Sequence, residues 1–317
     1  MRHLKLIPDD TNIPFTRWRY VAVGLSLAVM IAAVVLLFAR GLNFGIDFEG
    51  GILIEIATEG PADIGNIRDE LGGLGLGDVQ IQQFGQPDDV LIRVQSPQGD
   101  DAEKASQAVV QQIKSALGDG VEYRRVEVVG PQVSGELVQD GVLAILVSVA
   151  LMLIYIWFRF EWQFSLGSVI ALVHDVMATL ALFCLLDMEF NLQSIAALLT
   201  IVGYSMNDTV IVFDRVRENL RKYKKMPLTE LIDLSINQTL SRTVMTSGTT
   251  LLALFALFIF GGEVIRGFTF AMIFGIFIGT YSSIFIAAPV LLAAGVTRDA
   301  TTGGLGGVSK EKVPGKA

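Results

Sequence analysis

The chain has 317 residues, 52% of them hydrophobic, which excludes an ordinary soluble domain and puts the membrane question first. Its net charge of −8 is uneven: residues 41–140 carry 18 acidic against six basic side chains, while the rest carries 14 against 18 and is mildly basic, so a nucleic-acid partner is not expected. The single cysteine, Cys184, lies in an apolar run and excludes a disulfide framework and a Cys-rich metal site.

A hydrocarbon core of about 30 Å requires about 20 mostly apolar residues in helix. Stretches of that kind occur at roughly Tyr20–Ala39, Gly141–Phe158, Leu166–Leu186, Leu192–Phe213, Thr243–Phe260 and Phe268–Ala293. The first is too long for a signal-peptide core, and no small-x-small cleavage site follows it, so it reads as a retained span. Between the first and second spans, "FEGGILIEIAT" alternates as a strand and "ADIGNIRDELGGL" forms a short helix ended by glycines. "VQIQQFGQPDDVLIRVQ" gives two strands about a turn, "DDAEKASQAVVQQIKSAL" an amphipathic helix and "VEYRRVEVV" a last strand. That β-α-β-β-α-β order is ferredoxin-like.

Lys and Arg fix the orientation. Arg17 and Arg19 precede the first span, Arg159 follows the second, Arg215 to Lys225 follow the fourth, and Arg298 follows the sixth. All of these fall on one side, so both termini are expected in the cytoplasm. The expected boundaries are a cytoplasmic N-terminus at 1–17, helix 1 at 18–40, an external domain at 41–138, five more helices over 139–294, and a flexible cytoplasmic tail at 295–317. Within the five-helix region, a cytoplasmic amphipathic loop is expected at about 214–240, its part from Pro227 an interfacial amphipathic helix with Leu228, Leu231, Leu234 or Ser235, and Leu240 along one side. "GIFIG" (275–279) is a small-xxx-small packing motif, and Pro289 is expected to kink the last span.

The fourth span contains Asp208, where a charge at the helix centre costs at least about 2.5–3.5 kcal/mol. Asp214 snorkels at the basic edge, but Asp208 is six residues deeper, roughly 9 Å along a helix, and a short side chain does not span that distance. Asp208 is therefore read as functional. Two readings stand for Arg242, at the start of the fifth span: it reaches inward toward Asp208, or it snorkels to headgroups. Two also stand for Asp175, halfway along the third span beside His174: a step on a proton path, or a hydrogen bond that packs helices. An HD metal site is dismissed, since His3 is the only other histidine. Small and polar residues, Asn207 among them, surround Asp208, and most are expected to pack helices. Thr246 and Thr250, each one turn deeper from Arg242, are candidates for a proton wire. The sequence offers no nucleophile–base pair, phosphate loop or metal cluster, so no hydrolytic activity and no cofactor are expected. A protonatable carboxylate in the bundle points instead to the transmembrane proton gradient as the energy source.

Five stretches occur in a family's order: "GIDFEGG" (45–51), "VGPQVSGEL" (129–137), "FRFEWQFSLGSVIALVHDV" (158–176), "GYSMNDTVIVFDRVRENLRK" (203–222) and "NQTLSRTVMTSGTTLLALFALFIFGG" (237–262). Together they resemble the SecD/SecF family of bacterial protein-export membrane proteins, in the resistance-nodulation-division (RND) superfamily, and specifically its smaller members. The fold expected is an α-helical integral membrane protein: six transmembrane helices in an RND-type half bundle, with a small α+β ferredoxin-like periplasmic domain between helices 1 and 2. The resemblance implies location in the bacterial inner membrane and partnership with SecD, the SecYEG channel, YajC, a translocating preprotein and membrane lipid. It also implies proton flow at Asp208 and Arg242, which tips Arg242 toward pairing. The implied function is a proton-driven translocase subunit. The alternatives are an RND-type exporter of small molecules or lipids, and a passive scaffold that needs no membrane carboxylate.

Overall fold

The computed structural model describes residues 8, 11–77, 79–95 and 102–296. Most of the expected C-terminal tail lies outside the described residues, as does the start of the N-terminal segment. After a 3-10 turn at Phe15–Trp18, α1 (Arg19–Ala39) is a continuous apolar helix with no proline, so its backbone is satisfied internally, as lipid demands. β1 (Asn43–Phe44) and the short helix α2 (Ile46–Glu49) lead into the sheet domain.

That domain runs β2 (Gly51–Thr58), α3 (Ile64–Gly72), β3 (Val79–Gln83), β4 (Asp89–Val94), α4 (Ala102–Leu117) and β5 (Val121–Val129). The strands pair antiparallel in the order β3-β4-β2-β5, the ferredoxin-like arrangement expected from the β-α-β-β-α-β sequence. Ile52, Ile54 and Ile56 of β2 meet Ile67, Leu71 and Ile113 of the two helices in one core. Strand β2 is buried on both faces rather than half-buried, because Leu53 on its other face packs with Ile46 of α2 and Leu91 of β4. Asp89, fully buried at the start of β4, forms an ion pair with Arg124 of β5.

The membrane part follows as α5 (Pro131–Arg159), α6 (Trp162–Leu186), β6 (Glu189–Phe190), α7 (Leu192–Lys222), α8 (Leu228–Phe260), α9 (Arg266–Ser282), a π-helical turn (Ser283–Ala287) and α10 (Ala288–Ala293). Counting the last three as one span, six helices are long and apolar enough to cross a membrane. Two of the contacts between the domain and the bundle are polar and specific. β1 pairs in parallel with β6, and Arg93 of β4 reaches both Asn43 Oδ1 (3.0 Å) and Glu189 Oε2 (3.1 Å). Asp47 of α2 accepts the backbone N–H of Leu192 at 2.9 Å, capping the first turn of α7. The paired glycines of "GIDFEGG" make this junction possible. Gly50 has φ +71°, and a Cβ on Gly51 would lie 2.8 Å from the Val94 carbonyl oxygen.

Two expectations for the basic edge of the bundle change. The helix expected after Pro227 is present but is not a separate element: α7 runs on to Lys222, and α8 is a single 33-residue helix from Leu228. The apolar side of its first turns is covered by protein, since Leu231, Ile232 and Ile236 pack on Val216 and Leu220 of α7. Asn219 locks the pair by donating to Ser235 Oγ and Gln238 Oε1, both at 2.9 Å. Asp214 pairs with Arg159 at 2.7 Å, on the end of α5, rather than with its sequence neighbours. The start of the chain is tied to the same end: Thr16 donates through N and Oγ1 to Asp233, and Ile13 N donates to Asn237 Oδ1. The start of α1, the α5–α6 turn and the α7–α8 turn therefore lie at one end of the bundle. Pro289 sits in the first turn of α10, directly after the π-helical turn that absorbs its missing donor.

The "GIFIG" glycines are where α7 and α9 touch. A Cβ on Gly275 would come within 2.3 Å of Ile201, and one on Gly279 within 2.9 Å of Ser205 Cβ. Gly279→Val is expected to destabilise the bundle by about 1–3 kcal/mol through overpacking. Its apparent unfolding temperature in detergent should drop, whereas Gly203→Val, with nothing within 4 Å of its Cβ, should not lower it.

Candidate functional site

The centre of the bundle holds two carboxylates on neighbouring helices. Asp208 of α7 is buried: Thr243 Oγ1 of α8 donates to its Oδ1 at 2.6 Å, and Ser283 Oγ, at the start of the π turn, donates to Oδ2 at 2.8 Å. Asp175 of α6 is fully buried, with Oδ2 accepting from Ser205 Oγ of α7 at 2.5 Å and from Ser282 Oγ of α9 at 2.6 Å. His174 Nδ1 lies 3.0 Å from Asp175 Oδ1, and Thr179 donates to the Asp175 backbone carbonyl.

The two centres are built from interleaved sequence. Ser205 and Asp208 are three apart on α7, so they share a face. Ser282 and Ser283 are adjacent at the point where α9 widens into a π turn, and each serves a different carboxylate. Single π turns inside helices recur at functional sites, because one extra residue re-aims the side chains around it. One contiguous hydrogen-bonded region thus joins α6, α7, α8 and α9, and any motion that separates two of these helices must break one of its bonds.

The expected site residues divide. Asp208 and Asp175 are both at the centre. Arg242 is exposed and makes no ion pair with Asp208 among the described residues, although it stays within Coulombic range. The reason is helical phase: adjacent residues point about 100° apart, and Thr243 takes the direction that faces α7. Asn207 is exposed on α7, away from the carboxylate that follows it. Thr246 bonds the Arg242 and Thr243 carbonyls, and Thr250 bonds the Thr246 carbonyl, so both hydroxyls are tied to their own helix. The residue on the Thr243 face one turn on is Ser247, which meets Thr280 Oγ1 at 3.0 Å and accepts from Tyr204 OH at 3.3 Å. From sequence Ser205 and Thr243 belong to the small and polar residues expected to pack helices, and Ser282 and Ser283 carry no expectation. The signal available was the polar run Thr280–Ser283 in the mostly apolar last span, side chains that lipid would not tolerate unpaired.

At the bundle edge the electrostatics differ. Burial pushes the carboxyl of Glu161, at the α5–α6 turn, above the ordinary range, with Arg217 and Arg221 pulling the other way.

Hydrogen-bonded carboxylates at the centre of six spans define a multi-pass membrane protein of the class in which intramembrane acids serve substrate or ion pathways. The chain belongs to the SecD/SecF family of protein export membrane proteins. Residues 109–297 match the SecD/SecF C-terminal family model, and residues 35–62 match the model of the SecD/SecF GG motif. It is 48% identical over 309 residues to the protein translocase subunit SecF of Rhodobacter capsulatus, covering 93% of both chains. It is 46% identical to SecF of Rickettsia bellii, covering 91% of this chain and 95% of the relative. Among solved structures it is similar to SecDF, a translocon-associated membrane protein from Thermus thermophilus, with a TM-score of 0.82 and 36% identity over 92% of this chain. It spans 40% of that SecDF chain.

Proposed function

We propose that the chain is the SecF-type subunit of a bacterial inner-membrane protein translocase. It works beside a SecD-type half and uses the proton gradient to promote preprotein movement and release on the outer side. The observation that carries the proposal is the buried, doubly hydrogen-bonded Asp208, in a chain nearly half identical to translocase subunits named SecF. The likeness to part of a SecDF chain supports a SecD-type half as its partner. The SecYEG channel and YajC complete the assembly, both termini lie in the cytoplasm, and the sheet domain lies outside, where it meets the preprotein.

In this mechanism Asp208 takes up and gives off the proton. When it is neutral, its carboxyl hydrogen-bonds within the bundle at little cost. When it is ionised it needs a cation, and Arg242 supplies one from within Coulombic range by turning inward on its long stem. Asp175 acts as the hub that holds α6, α7 and α9 together, so that a change at Asp208 is felt by its neighbours through Ser282 and Ser283. Asn207, Thr246 and Thr250 have no direct part in the proton step. The small-molecule exporter reading is less favoured, because the relatives that match along most of the chain are named translocase subunits.

Vesicles containing this chain with its SecD half should release a late-stage preprotein faster when a proton gradient is imposed. A release rate indifferent to the gradient would return the protein to the scaffold reading.

A further inference from the structure

A cavity of about 860 Å³ runs along the outside of the bundle between α1, α6 and α10, and His174, whose Nδ1 meets Asp175, is the one hydrogen-bond partner of the two carboxylates in its lining. On α1 its wall extends from Arg19 to Met30, eleven residues at about 1.5 Å each, or about 17 Å. One leaflet of a hydrocarbon core about 30 Å thick is about 15 Å deep. The cavity therefore starts at the membrane surface and stops near the midplane. His174 of α6, twelve residues into its helix, lies at that depth with Nε2 unpartnered among the described residues.

The two ends differ in chemistry. The shaft is mostly apolar, walled by residues such as Val173 and Pro289, and its one hydroxyl, Ser26, is tied to Tyr281 at 3.0 Å. The mouth holds Arg19, Tyr20 and Thr229, and no Asp or Glu lines the cavity. The Arg19 guanidinium contacts the Tyr20 hydroxyl at 3.0 Å and lies over its ring, with no carboxylate in ion-pair range among the described residues. A transmembrane helix of 20 residues, about 10–12 Å across and about 30 Å long, occupies about 2400–3400 Å³ and would seat only one face in the groove. A zwitterionic headgroup would bring its own cation to Arg19. An anionic one complements the guanidinium and is the form enriched where basic residues gather at a membrane face.

We propose that this groove is a binding site for one anionic phospholipid, its phosphate on Arg19 and one acyl chain lying along α1 and α6 as far as His174. The chain then buttresses Ile286 of the π turn, which also lines the groove, and so supports the turn that presents Ser283 to Asp208.

The test is native mass spectrometry of the purified full chain in detergent, with added phosphatidylglycerol or phosphatidylcholine. One phosphatidylglycerol should be retained per chain, at least fivefold in preference to phosphatidylcholine. Arg19→Gln should abolish the preference, and Val173→Trp, which fills the shaft, should reduce retention of both lipids. Leu252→Trp, at an exposed position on α8 away from the groove, should change neither. Equal retention of the two lipids by the wild-type chain, or full retention by Val173→Trp, would overturn the proposal. A photoreactive residue at Val23 that yields protein adducts and no lipid adducts in membranes would overturn it too, assigning the groove to a partner chain.

Discussion

Asn in place of Asp208 is expected to abolish the whole gradient-dependent component of preprotein release while leaving the protein folded and at its normal level in the membrane. The separation follows from the geometry. Asparagine is close to isosteric with aspartate, its carbonyl oxygen still accepts from Thr243, and its amide donates to the Ser283 hydroxyl that previously donated to Asp208. Packing is retained and only the exchangeable proton is lost. Asp208→Glu should recover part of the gradient dependence, because it restores the carboxyl at the cost of one extra methylene in a tight site. Release assays in vesicles with and without an imposed gradient, on matched amounts of protein, decide the matter. Unchanged gradient dependence in Asp208→Asn would remove Asp208 from the mechanism.

At Asp175 the expected result is the reverse, a structural loss before a functional one. Asp175→Leu strips the acceptor from Ser205, Ser282 and His174 at once, at a fully buried position. Ser282 keeps the Gly279 carbonyl, so Ser205 and His174 are the groups left alone, and at about 1–3 kcal/mol for each the change should cost about 2–6 kcal/mol. Asp175→Asn keeps an acceptor for the serines and should stay close to wild type in unfolding temperature. If Asp175→Asn also keeps most of the gradient-dependent release, the residue is a hub. A folded Asp175→Asn protein with no gradient dependence would instead put Asp175 on the proton path beside Asp208.

Much of this was legible in the chain because lipid simplifies the physics. Every span must satisfy its own backbone, so six apolar runs became six helices, and the alternating strands between the first two became the antiparallel sheet. Asp208 and Asp175 stood out because an acid in an apolar run is conspicuous. Their partners did not, since a serine at a membrane interface looks like packing whether or not it serves a carboxylate. Choosing Thr243 over Arg242, or Ser247 over Thr246, depends on the rotation of α8 about its axis. The spacing of residues on a helix gives their relative directions but not which of them faces a neighbour. The first turns of α8 show the same limit: the amphipathic face of Leu231 and its neighbours was legible, but not that it lies against protein rather than headgroups.

The cap that Asp47 places on Leu192 has a mechanical consequence. Sixteen residues of uninterrupted helix separate Leu192 from Asp208, a rod of about 24 Å at 1.5 Å per residue. One end carries the carboxyl group and the other is capped by α2 at the entry to the sheet domain, with no flexible linker between. A slide or roll of this rod would therefore arrive at the GG junction almost undiminished. A charge event deep in the lipid would become a change in the stance of the domain outside it.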